Sequence, residues 1–222
     1  MIQTNPLSEQ VYQNLLERIL SGVLPPGAAL REIELARELA VSRTPVREAL
    51  ARLVEDGLAE NKPNRRTVVR RLGHAEIIEL YQVREALEGM AAELACGKLT
   101  AADLAQLDSL AARIDQVDEA GYLEAHYRLD VCLHRLIASR SSNALLARQI
   151  HKFHNLMYLL RGRFAKQARE LKQADRQHRD IIAALKTGDP AVCRRAVTQH
   201  LRSFASFSPG WFVDEPVAVA SV

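Results

Sequence analysis

The sequence predicts a mainly α protein: an N-terminal winged helix-turn-helix followed by a C-terminal all-α antiparallel helical bundle. Three observations carry that expectation. Two amphipathic helices and a third with sharply unlike faces precede a β-branched hairpin, basic residues concentrate in one stretch, and residues 73–207 show only helical periodicity. A chain of 222 residues exceeds the usual domain of roughly 100 to 150, so two domains are expected, 1–72 and 73–207. The tail, 208–222, holds Pro209, Gly210 and Pro216 with weak periodicity and is expected to be poorly ordered.

The first helix is expected over 8–21, where Ser8 can cap it and Val11, Leu15, Leu16, Ile19 and Leu20 share one face. Gly22 and the LPPG turn at 24–27 end it. A second helix follows over 32–40, with Ile33, Leu35, Ala36 and Leu39 apolar and Glu32 and Glu34 near its positive end. After Val41-Ser42, a third runs from Thr44 to Asp56: Thr44 suits the N-cap, Pro45 the first helical position and Gly57 the end. Val46, Ala49, Leu50 and Leu53 make its apolar stripe, leaving Arg43, Thr44, Arg47, Glu48 and Arg52 opposite. Between Leu58 and Leu72 two short extended pieces flank a polar tip at 61–66, with Thr67-Val68-Val69 strongly β-branched, which reads as a small hairpin. Six further helices are expected at 74–97, 101–119, 121–139, 142–166, 168–187 and 189–207.

Composition narrows the function. With 48% apolar and 26% charged residues and no run of the roughly 18 apolar residues a membrane span needs, a globular protein with no membrane partner is expected. The N-terminus lacks a basic region followed by an apolar core, so a cytoplasmic location is expected. Cys96, Cys132 and Cys193 are odd in number and form no CxxC pair, which argues against a disulfide framework or a thiolate zinc knuckle and for reduced, buried thiols. The net charge is only +3, but residues 43–71 hold eight basic side chains against four acidic ones, while residues 73–222 hold 19 against 18. One basic surface on a neutral body suits phosphate binding.

The stretch Leu30-Arg31-Glu32 through Leu39, then VSRTPVREAL at 41–50, Leu53 and Gly57-Leu58, closely resembles the winged-helix signature of the GntR family of transcription regulators, over roughly residues 8–72. The resemblance implies that Arg43, Thr44 and Arg47 face DNA from the third helix, that Arg31 assists, and that the wing reaches the minor groove. Arginine's planar fork can pair with guanine O6 and N7 or with phosphate, and Thr44 sits where helix-end amides attract phosphate. Arg31, Arg43 and Arg47 therefore lead the DNA-binding candidates, followed by Ser42, Thr44, Arg52 and Arg65. For Arg52 a solvated surface charge is an equal alternative. Where the family usually has a glycine at the wing tip, this chain has Arg66.

Histidines on apolar helix faces mark a second site. Asp130 and His134, four apart, project from one face with Leu133 and Ile137; His178 shares its face with Ile181, Ile182 and Leu185, and His200 with Val197 and Phe204. One carboxylate and three imidazoles from three inward helices suit a divalent transition metal with open positions. Residues 74–207 resemble the FCD-type helical domain of the FadR-like branch of the same family, in its six-helix, VanR-like variant, through Val83-Arg84, Leu87-Glu88, Asp130, His134, Ser139, Asn143, Gln177-His178, Gly188-Asp189 and His200. That resemblance implies a metal, zinc first with nickel, manganese or iron as alternatives, held by Asp130, His134, His178 and His200. His126, His151 and His154 are left off the ligand set. Arg84 is a candidate for pairing with an effector carboxylate, a salt bridge to Glu88 being the equal alternative.

Together these readings predict a metabolite-responsive regulator, a repressor that binds a palindromic operator in double-stranded DNA as a homodimer and is switched by a small organic acid beside a metal. The alternatives are a metal-responsive regulator without an organic effector and, further off, a metal-dependent hydrolase, for which no general-base partner is evident.

Overall fold

The computed structural model describes residues 6–63, 66–160 and 168–207. Two helices open the chain, α1 (Leu7–Leu20) and α2 (Glu32–Glu38), and α3 (Arg43–Glu55) follows after a four-residue turn. Their apolar stripes make one core of Val11, Leu15, Ile19, Leu35, Val46, Ala49, Leu50 and Leu53, all buried. Strands β1 (Ala59–Lys62) and β2 (Arg66–Val69) pair antiparallel, with Ala59 opposite Val69 and Lys62 opposite Arg66. A feature not foreseen is a third extended piece. Gly27 and Leu30 donate to the carbonyls of Val69 and Thr67, and Val69 donates to Ala28, all at 2.8–2.9 Å, so the segment after the LPPG turn flanks β2.

Helix starts differ from expectation in an instructive way. Ser42, not Thr44, takes the N-cap position of α3, and Pro6, not Ser8, that of α1. Proline tolerates the first turn generally because its missing N–H is among the unpaired donors there, so Pro45 can sit third in α3. The turn between α2 and α3 places Ala40 at φ +52°, while Val41 N–H reaches back to Ala36 at 3.0 Å to close the helix end. A Cβ is costly in that left-handed conformation.

The second part comprises α4 (His74–Ala95), α5 (Ala101–Ile114), α6 (Glu119–Arg140), α7 (Ala144–Tyr158), α8 (Ala168–Thr187) and α9 (Pro190–Phe207). Helix α5 ends at Ile114 rather than 119 because the Asp118 side chain caps α6, accepting from Gly121 N–H at 2.9 Å. Helix α7 was expected to reach 166; it ends at Tyr158, and residues 161–167 lie outside the described residues, as does the tail from 208. Helices α4 and α9 pack at close range: Tyr81 stacks on Phe204 with centroids 5.5 Å apart, and a Cβ on Gly89 would stand 2.7 Å from the Thr198 methyl. Asp103 of α5 receives a two-pronged bond from Arg140 of α6 at 2.8 and 2.9 Å. Contacts divide the chain into two units, Met1–Leu72 with His154–Gly162, and Gly73–Phe153 with Arg163–Val222, so the expected boundary at 72/73 gains a departure at the end of α7. None of the described helices is long and apolar enough to cross a membrane.

Because Ala40 carries a side chain at positive φ, Ala40→Gly is expected to stabilise the N-terminal unit by about 1 kcal/mol. A lower or unchanged midpoint in denaturant, with unchanged m-value, would contradict this account of the turn.

Candidate nucleic-acid interface and metal centre

The outward face of α3 carries the leading sequence candidates. Ser42, Arg43, Thr44 and Arg47 are all exposed, and the Ser42 side chain makes no cap hydrogen bond to the first amides of α3, the kind of donors that a phosphate oxygen accepts from. Arg43 and Arg47 converge on one carboxylate. Glu32, first residue of α2, accepts from Arg43 Nε at 2.6 Å and from Arg47 Nη2 and Nε at 3.0 and 3.2 Å. These bonds from Arg47 and Arg43 hold the Glu32 carboxyl below its usual range. Arg31 bonds Glu34 at 2.7 Å on the exposed side of α2. Arg66 opens β2, and a groove lined by Arg31, Glu32, Arg43, Arg47, Arg66 and Thr67 runs between α2, α3 and the wing.

Arg52 is used differently. It ion-pairs with Glu9 of α1, and its guanidinium lies 3.8 Å from the Tyr12 ring centroid, while the Tyr12 hydroxyl donates to Asp56 Oδ2 at 2.7 Å. Arg52 thus fastens α3 to α1, which is neither the DNA contact nor the solvated surface charge expected from the sequence. Arg65 lies outside the described residues. Glu32 escaped sequence reasoning because it meets Arg43 and Arg47 11 and 15 residues away, across a turn, where no helical spacing announces the pairing.

In the second unit the four expected ligands come together. One donor atom from each of Asp130, His134, His178 and His200 lies within 4.8 Å of the others. Asp130 Oδ1 stands 3.3 Å from His178 Nε2 and 3.6 Å from His134 Nε2, and the His178 and His200 rings are 4.6 Å apart. Ligand atoms about 2.0 to 2.2 Å from a tetrahedral ion stand about 3.3 to 3.6 Å apart, the spacing at which Asp130 already stands from His178 and His134.

Two of the three imidazoles are aimed by a partner behind them. His134 Nδ1 bonds Glu88 of α4, whose other oxygen accepts from Arg84 Nε at 2.6 Å. His200 Nδ1 donates to Gln177 Oε1 at 3.1 Å, and Gln177 Nε2 is fixed by Ser203 at 2.9 Å. Both tautomers leave Nε2 turned inward. His178 is the diagnostic residue: it is fully buried, and neither ring nitrogen makes a hydrogen bond of good geometry to a described residue. Buried imidazole nitrogens without partners are costly, and a Lewis acid would satisfy Nε2. Burial pulls the His178 imidazolium below its ordinary range despite Asp130, and burial with the neighbouring His178 and His134 holds His200 well below it. Neutral imidazole is the form that binds metal.

The remaining candidates separate clearly. Arg84 is 3% exposed and paired with Glu88, its guanidinium 5.1 Å from the Tyr81 centroid. The salt-bridge alternative is therefore realised, with Glu88 shared by Arg84 and His134. His126 bonds Asp175 at 2.6 Å beside the cluster, and Tyr122 donates to the same carboxylate at 2.6 Å. His151, half-buried on α7, is not part of the four-residue group.

Comparison with known proteins agrees with both halves. Residues 7–69 match the family described as bacterial regulatory proteins, gntR family, and residues 79–203 match the FCD domain. The chain belongs to the GntR family of regulators. It is 32% identical, over 89% of its length and 87% of the relative's, to a probable D-xylose utilization operon transcriptional repressor of Paenarthrobacter nicotinovorans. It is also 28% identical to the transcriptional repressor RspR of Escherichia coli, over 96% of each chain. Among solved structures, Escherichia coli McbR/YncC is similar at TM-score 0.77 and 30% identity, covering 92% of this chain and 97% of that one. A Rhodococcus GntR regulator is similar at TM-score 0.74 and 25% identity, covering 91% and 97%. GntR proteins of this kind are DNA-binding regulators, not enzymes, so the hydrolase alternative has no support among the relatives.

Glu32 engages both of the arginines expected to face DNA. Glu32→Gln is expected to raise affinity for random-sequence duplex DNA and to narrow its difference from a preferred site. Titrations at two salt concentrations check this; weaker binding to random DNA would count against it.

Proposed function

We propose that this GntR regulator is a metabolite-responsive repressor, acting in the cytoplasm, that binds a palindromic operator as a homodimer through Arg31, Ser42, Arg43, Thr44 and Arg47. In this reading α3 enters the major groove and the hairpin flanks it, with half-sites about one helical turn, 34–36 Å, apart. The repressor names of two relatives support the sign of regulation.

The observation that carries the sensing half is the gathering of Asp130, His134, His178 and His200 from three helices, with neither nitrogen of the buried His178 making a hydrogen bond of good geometry to a described residue. The proposed occupant is a divalent transition metal, zinc before nickel, manganese or iron, because three of the four donors are imidazole and none is thiolate. When bound, it supplies a Lewis-acid position at which a carboxylate can coordinate. Glu88 and Gln177 hold His134 and His200 in the required tautomers. Arg84 supplies the charge that would recognise a small organic acid, once it exchanges Glu88 for the incoming carboxylate. Such a ligand shifts DNA affinity only by its unequal affinity for the DNA-competent and DNA-incompetent arrangements.

The test starts with operators selected from random-sequence DNA by the full chain. A two-fold symmetric motif is expected, and Arg47→Ala should weaken binding to it by about 5- to 150-fold, the equivalent of about 1 to 3 kcal/mol. An asymmetric motif, or unchanged affinity, would overturn the DNA reading. In parallel, chelator-treated protein is titrated with zinc: one equivalent should bind the native chain, and His178→Ala should bind at least 10-fold more weakly. If zinc alone abolishes operator binding and no carboxylate adds to it, the metal is itself the signal.

A further inference from the structure

Away from the histidine cluster, two of the three cysteines face each other. Cys96 closes α4 at its C-cap, Cys193 stands in the first turn of α9, and their sulfurs are 3.3 Å apart. Packed sulfurs ordinarily stand farther apart, and an S–S bond of about 2.05 Å requires only about 1.2 Å of approach. Cys193 is fully buried, while Cys96 is half-buried and reachable from outside. The sequence predicts three reduced, buried thiols, but only Cys193 is buried, and the pair is not signalled because 97 residues separate its members and no CxxC spacing marks it.

We propose that Cys96 and Cys193 form an intramolecular disulfide in response to hydroperoxides. The thiolate of Cys96 attacks one peroxide oxygen; the O–O bond breaks, the departing hydroxide or alkoxide takes up a proton, and Cys96 becomes a sulfenic acid. Cys193 Sγ then attacks the Cys96 sulfur, the S–S bond forms, the S–O bond breaks, and hydroxide leaves as water with the Cys193 proton. Two thiols lose two electrons, and the peroxide is reduced to water and an alcohol, or to two waters. Exposure sets the order. Burial and the neighbouring Cys96 push the Cys193 thiol up to about 12, so it is the resolving group, and the more accessible Cys96 meets the oxidant.

The link would join two helices that flank the histidine cluster. On α4, Glu88 lies eight residues before Cys96; on α9, His200 lies seven after Cys193 and on the same face. Oxidation therefore fixes the spacing of α4 and α9 two turns from Glu88 and His200.

Folded, full-length protein is exposed to hydrogen peroxide, quenched by alkylation and weighed intact. The expected result is loss of two hydrogens from the monomer, two fewer alkylated thiols, and a tryptic peptide linking Cys96 to Cys193 that dithiothreitol separates. Cys132→Ser should retain the link; Cys96→Ser should lose it. Because Cys193 is buried and its substitution can disturb packing, the peptide map of the unsubstituted chain is decisive by itself. Oxygen addition without cross-linking, a disulfide through Cys132 or between copies, or a link that forms only after denaturation would each overturn the proposal.

Discussion

Glu88 is the constraint on which the second unit turns. A carboxylate 2% exposed in a helical core is tolerable only when its charge is met, and here Arg84 meets one oxygen while His134 meets the other. That single residue relates the register of α4 to that of α6, and α6 in turn brings Asp130 to face His178 on α8. His200 joins from α9, held by Gln177 of α8 and backed by the Tyr81–Phe204 stack. Replacing one member leaves another buried polar group unpaired, a more expensive condition than an all-apolar core. The apolar residues between them fill space; the polar chain specifies which helix faces which.

The N-terminal unit obeys a different economy, because its charges are on the surface. Pairs such as Arg31–Glu34 and Arg43–Glu32 contribute little stability in water. By contrast Arg52, laid over Tyr12 and tied to Glu9, is engaged in holding α3 against α1. Arginines five residues apart on one helix, Arg47 and Arg52, thus do unlike jobs: the helix turns them in different directions.

Most of the architecture was legible because it rests on periodicity. The stripe of Val46, Ala49, Leu50 and Leu53 and the faces carrying His134, His178 and His200 are local patterns, and the helices they predict form at nearly the expected positions. What stayed hidden is what depends on three-dimensional meeting. The roles of Glu32, Gln177 and Asp175, and the proximity of Cys96 to Cys193, join residues 11 to 97 positions apart. Caps were misread for a subtler reason: Thr44 and Ser8 have the right chemistry, but packing set α3 and α1 to begin one or two residues earlier.

The extended segment at Gly27–Leu30 gives the hairpin a third neighbour. Its bonds to Thr67 and Val69 tie β2 to the chain that leads directly into α2. The angle at which the hairpin leaves the body is therefore held by main-chain atoms behind it, and a change in the length of the LPPG turn would re-aim the hairpin while leaving every side chain of α3 unchanged.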